Sequence, residues 1–271
     1  MIRTAVLGIV QGLTEFLPVS SSGHLVLAQR LLHVEEPATL LGAVLHLGTI
    51  VSILVVFRRE VWRLLRSIFR SDDPEGRRWV AKLIIASIPI GVTGWFGASV
   101  IRDAFDSTLV VGICLLITAV LLFLAHAADK RAGNRREEPR IRDTIWIGVA
   151  QAAAVLPGVS RSGATLSAGL LSGVRQDQAI RFSFLLSIPA VLGAAAVELL
   201  SLENGSAGAA TGIADLAVGG VIAAIVGWLA IHTLLTVVRR RRLTWFGGYC
   251  GLLGLAAIIL SFVTKAGSGA A

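Results

Sequence analysis

Six stretches of this chain have about the length of a membrane-spanning helix and carry almost no charge. They are Ala38–Phe57, Leu83–Ile101, Ser107–Ala128, Phe182–Leu202 (interrupted by Glu198), Leu216–Val238 and Leu243–Thr264. Because 55% of the 271 residues are hydrophobic and only 15% are charged, an ordinary soluble domain is excluded. We therefore predict an all-α integral membrane protein with six transmembrane helices, folded as a single membrane domain over residues 1–271.

The net charge of +8 is distributed unevenly along the chain. Twenty of the 25 Lys and Arg residues fall in four clusters, at 58–82, 130–142, 175–181 and 239–242. This distribution argues against nucleic acid as a partner and, by the positive-inside rule, predicts that the clusters face the cytoplasm. The loops 33–37 and 201–215, together with both termini, are then expected outside.

Two further apolar segments are too short to cross a bilayer and are interrupted by Pro, Gly and Ser. The first joins Thr4–Thr14 to Leu25–Leu32, and the second joins Thr144–Leu156 to Ala164–Val174. Each half supplies about 10 to 13 residues, whereas a crossing helix needs ~20. We predict two re-entrant helical hairpins, which enter the membrane partway, break and return to the same face.

The two broken segments resemble each other at an offset of 140 residues. Gly8, Gln11, Ser20, Ser22 and Gly23 align with Gly148, Gln151, Ser160, Ser162 and Gly163. This predicts an internal duplication, with repeats over roughly residues 1–126 and 141–264 and inverted topology in the membrane. The second half-helices, expected to start near His24 and Ala164, would then point at an anionic group near the bilayer midplane.

Gln11 and Glu15 are four residues apart and therefore share one helix face. An ionised Glu inside a membrane costs roughly 2.5–3.5 kcal/mol, which argues for a function. We expect Glu15 to bind a divalent cation, with Gln11 as a further ligand, or to act as a base. The alternative is a Glu15 side chain that extends to the outer interface.

Three consecutive hydroxyls, Ser20, Ser21 and Ser22, precede His24 at the first break. They could serve only as a helix cap, but their position beside Glu15 favours phosphate binding, with Ser21 as nucleophile or direct phosphate contact. His24 could protonate a leaving oxygen, orient the nucleophile or accept a phosphoryl group.

The second break, Pro157-Gly-Val-Ser-Arg-Ser-Gly-Ala-Thr165, is the more specific motif. Its hydroxyls on Ser160, Ser162 and Thr165 are expected to bind phosphate, and Arg161 supplies a planar fork of donors that stabilises charge in phosphoryl transfer. As an alternative, Arg161 could form a purely structural ion pair with Glu15.

These two motifs, Gln11-Gly-Leu-Thr-Glu15-Phe-Leu-Pro-Val-Ser-Ser-Ser-Gly-His24 and Pro157–Thr165, closely resemble those of the bacterial undecaprenyl-diphosphate phosphatase family, also called bacitracin resistance protein. The resemblance covers essentially the whole chain. It implies removal of the terminal phosphate of a polyprenyl diphosphate lipid at the outer face of the bacterial plasma membrane, which recycles the carrier lipid for peptidoglycan synthesis and confers bacitracin resistance.

The resemblance also implies site residues and a cofactor. Glu15, Ser21, His24, Ser160, Arg161 and Thr165 match catalytic or phosphate-binding positions of that family. The family is associated with Mg²⁺ or Ca²⁺, and Gln11 occupies a position where many members carry Glu, which removes one anionic ligand.

Two other classes of function are compatible with parts of the sequence. Inverted repeats with broken helices are also a transporter architecture, so a lipid flippase with an anion site is the rival hypothesis. A structural scaffold would leave Glu15 and Arg161 without a role. The sequence leaves open whether the protein forms a homodimer and whether Ser21 or water attacks the phosphorus.

Overall fold

The computed structural model describes residues 1–31, 39–70, 72–97, 101, 103–105, 107–131, 133, 135–203, 212–239 and 242–268. Within these ranges the chain forms eleven α-helices of at least 11 residues and no β-strand. The helices are α1 Ile2–Phe16, α2 Ser21–Leu31, α3 Thr39–Val56, α4 Arg58–Phe69, α5 Pro74–Phe96, α6 Thr108–Arg131, α7 Ile141–Ala153, α8 Arg161–Leu171, α9 Gln176–Glu203, α10 Ile213–Arg239 and α11 Leu243–Ser268. The all-α class predicted from the sequence is confirmed.

Five of these helices, α5, α6, α9, α10 and α11, are long and apolar enough to cross a membrane. A sixth candidate arises if the bent pair of α3 and α4 is counted as one span. The protein is therefore a multi-pass membrane protein. The predicted spans at 38–57 and 83–101 include residues outside the described ranges, as do the predicted loops at 33–37 and 201–215.

Helix α4 is a feature that the hydropathy pattern did not reveal. It makes an angle of 87° with α3 and carries four arginines of the first basic cluster, while Leu64 and Ser67 are buried. A short helix with one buried face and one basic face is typical of a helix lying along the membrane interface. Its Arg63 forms ion pairs with Asp73 and Glu75, which join α4 to the start of α5.

The two broken segments are helical on both sides of each break. Helices α1, α2, α7 and α8 contain 15, 11, 13 and 11 residues, so each is shorter than the ~20 residues of a crossing helix. The second half-helices begin at Ser21 and Arg161, three residues earlier than the starts expected near His24 and Ala164. The reason is that the serine before each helix caps its first turn, as described below.

Helices α1 and α7 each pack closely against a long helix at a glycine. Helix α1 packs against α10, where a Cβ on Gly8 would lie 2.6 Å from the carbonyl oxygen of Gly219. Helix α7 packs against α5, where a Cβ on Gly148 would lie 2.7 Å from the carbonyl oxygen of Ala86. Any larger residue would push the helix pair apart, so both broken segments depend on a glycine for their position.

Candidate functional site

The two breaks meet inside the protein, and Ser20 is the main link between them. Its Oγ accepts hydrogen bonds from the backbone N–H of Gly23 (3.3 Å), which caps α2, and from the N–H of Gly158 (3.1 Å) in the other break. Ser20 has a φ of +72°, a conformation that non-glycine residues rarely adopt. The contact between the breaks stabilises this strained backbone.

The second break is built in a similar way. The Oγ of Ser160 accepts from the N–H of Gly163 (3.1 Å) and caps α8. Gly158 has a φ of +99°, and a Cβ there would lie 2.4 Å from the carbonyl oxygen of Val111, so only glycine fits. The hydroxyl of Ser162 completes the contact by donating to the carbonyl of Leu17 (3.1 Å) in the first break.

Glu15 lies at the centre of the polar cluster that the two breaks enclose. One carboxylate oxygen accepts from the hydroxyl of Ser21 (2.6 Å) and the amide of Gln11 (3.0 Å). The other accepts from the guanidinium of Arg161 at 2.5 Å. Glu15 is only 5% exposed, so its charge is compensated by these neighbours rather than by water. The Glu15 side chain therefore points into the protein and does not extend to the outer interface as the alternative had predicted.

The remaining predicted phosphate-binding hydroxyls lie around this cluster. The hydroxyls of Ser20 and Ser22 are 3.3 Å apart, and those of Ser160 and Ser162 are 3.2 Å apart. The hydroxyl of Thr165 donates to the carbonyl of Arg161 (2.8 Å) and lies 2.6 Å from that of Ser183 on α9. Thr165 thus contacts the backbone that carries Arg161.

His24 is one helical turn after Ser21 in α2 but has different hydrogen-bond partners. Its Nδ1 is 2.7 Å from the carbonyl oxygen of Ser20, and its Nε2 is 2.7 Å from the hydroxyl of Tyr249 on α11. The two rings stack with their centres 5.6 Å apart. His24 is therefore oriented by the break and by Tyr249, without a hydrogen bond to Ser21 or Glu15.

Gln11 has the chemistry expected of a cation ligand. It is fully buried, its amide N–H₂ is directed to Glu15, and its amide oxygen has no hydrogen-bond partner. Mg²⁺ and Ca²⁺ prefer such oxygen ligands, and Mg²⁺ in particular completes its shell with water and substrate phosphate. No group of three His, Cys, Asp or Glu suited to a metal occurs in the part of the chain that the structure describes. The oxygens of Gln11 and Glu15 thus fit a cation whose remaining ligands come from water and a bound phosphate.

Comparison with known proteins identifies the family to which the two motifs pointed. Residues 4–256 match the family model described as bacitracin resistance protein BacA. The chain belongs to this family. The match includes both broken segments, and it confirms the family resemblance predicted from the motifs.

Several curated proteins are similar to this chain over almost their full length. One from Desulforapulum autotrophicum is 40% identical over 95% of this chain and 97% of its own. One from Syntrophotalea carbinolica is 41% identical over 93% and 96%, and one from Korarchaeum cryptofilum is 40% identical over 95% and 98%. All three carry the name undecaprenyl-diphosphatase.

Three residues that contact the predicted site residues were not identified from the sequence. Tyr249 is the only tyrosine of the chain and lies in an apolar helix, a signal that could have drawn attention to it. Thr118 accepts from the N–H of Ser160 (2.9 Å) and donates to the carbonyl of Gly158 (3.0 Å). Ser183 contacts Thr165. Isolated hydroxyls in transmembrane segments are common, so nothing in the sequence distinguished the last two.

The arrangement in this BacA family member is suited to phosphoryl transfer. A hydroxyl bonded to a buried carboxylate is a nucleophile next to its base. A guanidinium beside them can stabilise the negative charge of a phosphate in surroundings of low dielectric constant. The direct ion pair between Glu15 and Arg161 was predicted as a structural alternative, and this pair also borders the Ser21 hydroxyl.

Proposed function

We propose that this protein removes the terminal phosphate of undecaprenyl diphosphate and releases undecaprenyl phosphate and inorganic phosphate. The observation that carries the proposal is the contact of Ser21 with Glu15 at 2.6 Å, beside Arg161. Full-length similarity to proteins named undecaprenyl-diphosphatase supports the choice of substrate. Membership of the bacitracin resistance family supports a role in tolerance of that antibiotic through recycling of the carrier lipid.

In this proposal the chain has six transmembrane helices, two re-entrant hairpins and an inverted repeat. In an inverted repeat, α1, α3, α5 and α6 of the first half correspond to α7, α9, α10 and α11 of the second. The helix contacts support this correspondence, because α1 packs on α10 as α7 packs on α5, and the corresponding helices α3 and α9, and α6 and α11, pack on each other. The close approaches at Gly8 and Gly148, which are 140 residues apart, also occupy corresponding positions of the two halves. Clustering of the basic residues at 58–82 and 130–142 supports a cytoplasmic position for these segments. The family resemblance supports placing the active site toward the outer face of the plasma membrane.

Substrate binding begins with competition for Arg161. Phosphate oxygens displace the Glu15 carboxylate from the guanidinium, because a diphosphate carries more negative charge and offers a bidentate partner. Glu15 is then free to act on Ser21. Hydroxyls of Ser22, Ser160 and Ser162 are close enough to the breaks to bind the remaining oxygens.

The chemical step is an in-line displacement. The Oγ of Ser21 attacks the terminal phosphorus while its proton passes to Glu15, and the bond from phosphorus to the bridging oxygen breaks with its electrons on the leaving undecaprenyl phosphate. Water then attacks the phosphoserine, which releases inorganic phosphate and restores the Ser21 hydroxyl. A divalent cation held by Gln11 and Glu15 would supply charge neutralisation to the phosphate oxygens.

The experiment is phosphate release from undecaprenyl diphosphate by the purified protein in nanodiscs. We expect turnover by the wild type, and retention of ³²P on Ser21 after a quenched single turnover with terminally labelled substrate. Binding of the lipid without phosphate release would overturn the proposal and favour a flippase. Release without any phosphoserine would leave the phosphatase assignment standing and overturn Ser21 as nucleophile in favour of direct attack by water. Light scattering of the purified protein tests whether it forms a homodimer.

A further inference from the structure

A crevice of about 750 Å³ lies beside the second hairpin, between α6, α7 and α8. Its walls are apolar and include Ile117, Trp146, Val149 and Leu171, each of which is at least 45% exposed. These residues belong to a chain that spans a membrane, so the crevice is open to lipid. Its volume is in the range of sites that bind small organic ligands.

One end of the crevice is basic. Arg136, Arg140 and Arg142 all line it. Arg136 is engaged by Asp143 (2.7 Å) and by the carbonyl of Ser172. Arg140 and Arg142 are exposed, and neither guanidinium makes an ion pair with any residue that the structure describes. Two cations are thus available at the end of an apolar crevice.

The basic end is remote from the Glu15–Arg161 site. Arg140 immediately precedes α7, whereas the second break follows its last residue, Ala153. Thirteen helical residues span about 20 Å, so a lipid whose diphosphate is bound at Arg161 cannot place the same phosphates at Arg140. One lipid molecule therefore cannot place its phosphates at the basic end and at Arg161 at the same time.

We propose that this crevice binds one acidic phospholipid, with its phosphate at Arg140 and Arg142 and an acyl chain along α7 and α8. Charge complementarity selects this occupant. Both kinds of lipid carry a phosphate that a guanidinium can bind, but a zwitterionic headgroup also brings a cation next to the two arginines, whereas an acidic headgroup adds a net negative charge there. The acyl chain would pack on Ala164 and Ala168 of α8, the helix that begins with Arg161. The site is independent of the phosphatase proposal, since it requires only that the protein lies in a bilayer.

The test is the lipid retained by the full-length protein. The protein is reconstituted in nanodiscs of equal parts phosphatidylglycerol and phosphatidylcholine, re-extracted in mild detergent, and its bound lipid is measured by mass spectrometry. We expect phosphatidylglycerol to be enriched on the wild type, and Arg140→Gln with Arg142→Gln to reduce this enrichment by about 10- to 30-fold. The matched control is Arg58→Gln with Arg59→Gln, which removes the same charge from exposed positions of α4 away from the crevice and should reduce the enrichment far less.

A second variant tests the apolar part of the site without changing charge. Ala153→Phe fills the crevice and should also abolish the enrichment. Equal loss in the α4 control would mean that net surface charge alone attracts the lipid, and the proposal would fail. It would also fail if Ala153→Phe retained phosphatidylglycerol.

Discussion

The hydroxyl of Ser21 donates a hydrogen bond of 2.6 Å to the carboxylate of Glu15, across the break that separates α1 from α2. The break is what makes this contact achievable, because residues six apart on one continuous helix do not share a face. The same carboxylate accepts from Arg161, 146 residues away, so three chemical roles converge on one buried group. The first three predictions address these roles.

Replacing Ser21 by Ala should reduce kcat about 10³-fold or more, because it removes the attacking atom. The measurement is phosphate release under saturating substrate. Ser87→Ala is the matched control, since the Ser87 hydroxyl bonds only to the carbonyl of Leu83 in its own helix, and this variant should keep wild-type turnover. A Ser21→Ala protein with more than a tenth of wild-type kcat would show that this hydroxyl does not attack phosphorus.

Glu15→Gln and Arg161→Gln should each destabilise the protein when made alone. Each change leaves the other charge buried without its partner, which costs about 3–5 kcal/mol. The double variant should recover most of the thermal stability, because both charges are gone. All three proteins should be inactive, so the double variant would recover stability without recovering activity. A double variant no more stable than the singles would argue that the pair is not coupled in the folded protein.

Gln11→Glu should lower the Mg²⁺ or Ca²⁺ concentration needed for half-maximal activity. The substitution converts a neutral oxygen ligand into an anionic one at a position whose amide oxygen has no partner. Activity is titrated with each cation after treatment with a chelator. Gln11→Met, which keeps the length but removes the oxygen, should raise the required concentration. Full activity of the wild type in chelator would rule out the cation at this site.

Tyr249→Phe should reduce kcat about tenfold, because it removes the hydrogen bond that orients the His24 imidazole, which the family resemblance predicts to be catalytic. A tenfold loss corresponds to ~1.4 kcal/mol of activation free energy. The ring stacking remains, so the protein should fold normally. A double variant with His24→Gln should be no worse than His24→Gln alone, because the tyrosine acts through the imidazole. Additive losses would mean that Tyr249 has a separate role.

Stability below about pH 5 should depend on the pair Lys82–Glu138. The hydrogen bond from Lys82 (2.7 Å) holds the pKa of the Glu138 carboxyl below its ordinary value. Its contribution to stability is therefore fully present above the unfolded Glu pKa of ~4.3 and is lost as the pH falls through the lower folded value. Lys82→Met should flatten this part of the profile of thermal midpoint against pH. Lys130→Met, an exposed control, should keep the wild-type slope.

Several parts of the fold followed from the sequence alone. The apolar windows predicted long helices because a bilayer requires every backbone hydrogen bond to be satisfied within the segment. The Pro-, Gly- and Ser-rich interruptions predicted the two breaks, and their helices are indeed too short to cross. Helix α4 was missed because its basic face hides the apolar residues in a hydropathy average.

The sequence by itself determined the chemical types at the site: a carboxylate, a run of serines, an imidazole and an arginine at two breaks. Only the tertiary structure decided which of them touch. It joins Glu15 to both Ser21 and Arg161, directs His24 to Tyr249, and connects the breaks through Ser20 and Gly158. The physical reason is that local pattern fixes the position of a residue on its own helix. Contacts between residues 138 to 225 apart depend on how those helices pack, and this is set by close approaches such as that of Gly8 to Gly219.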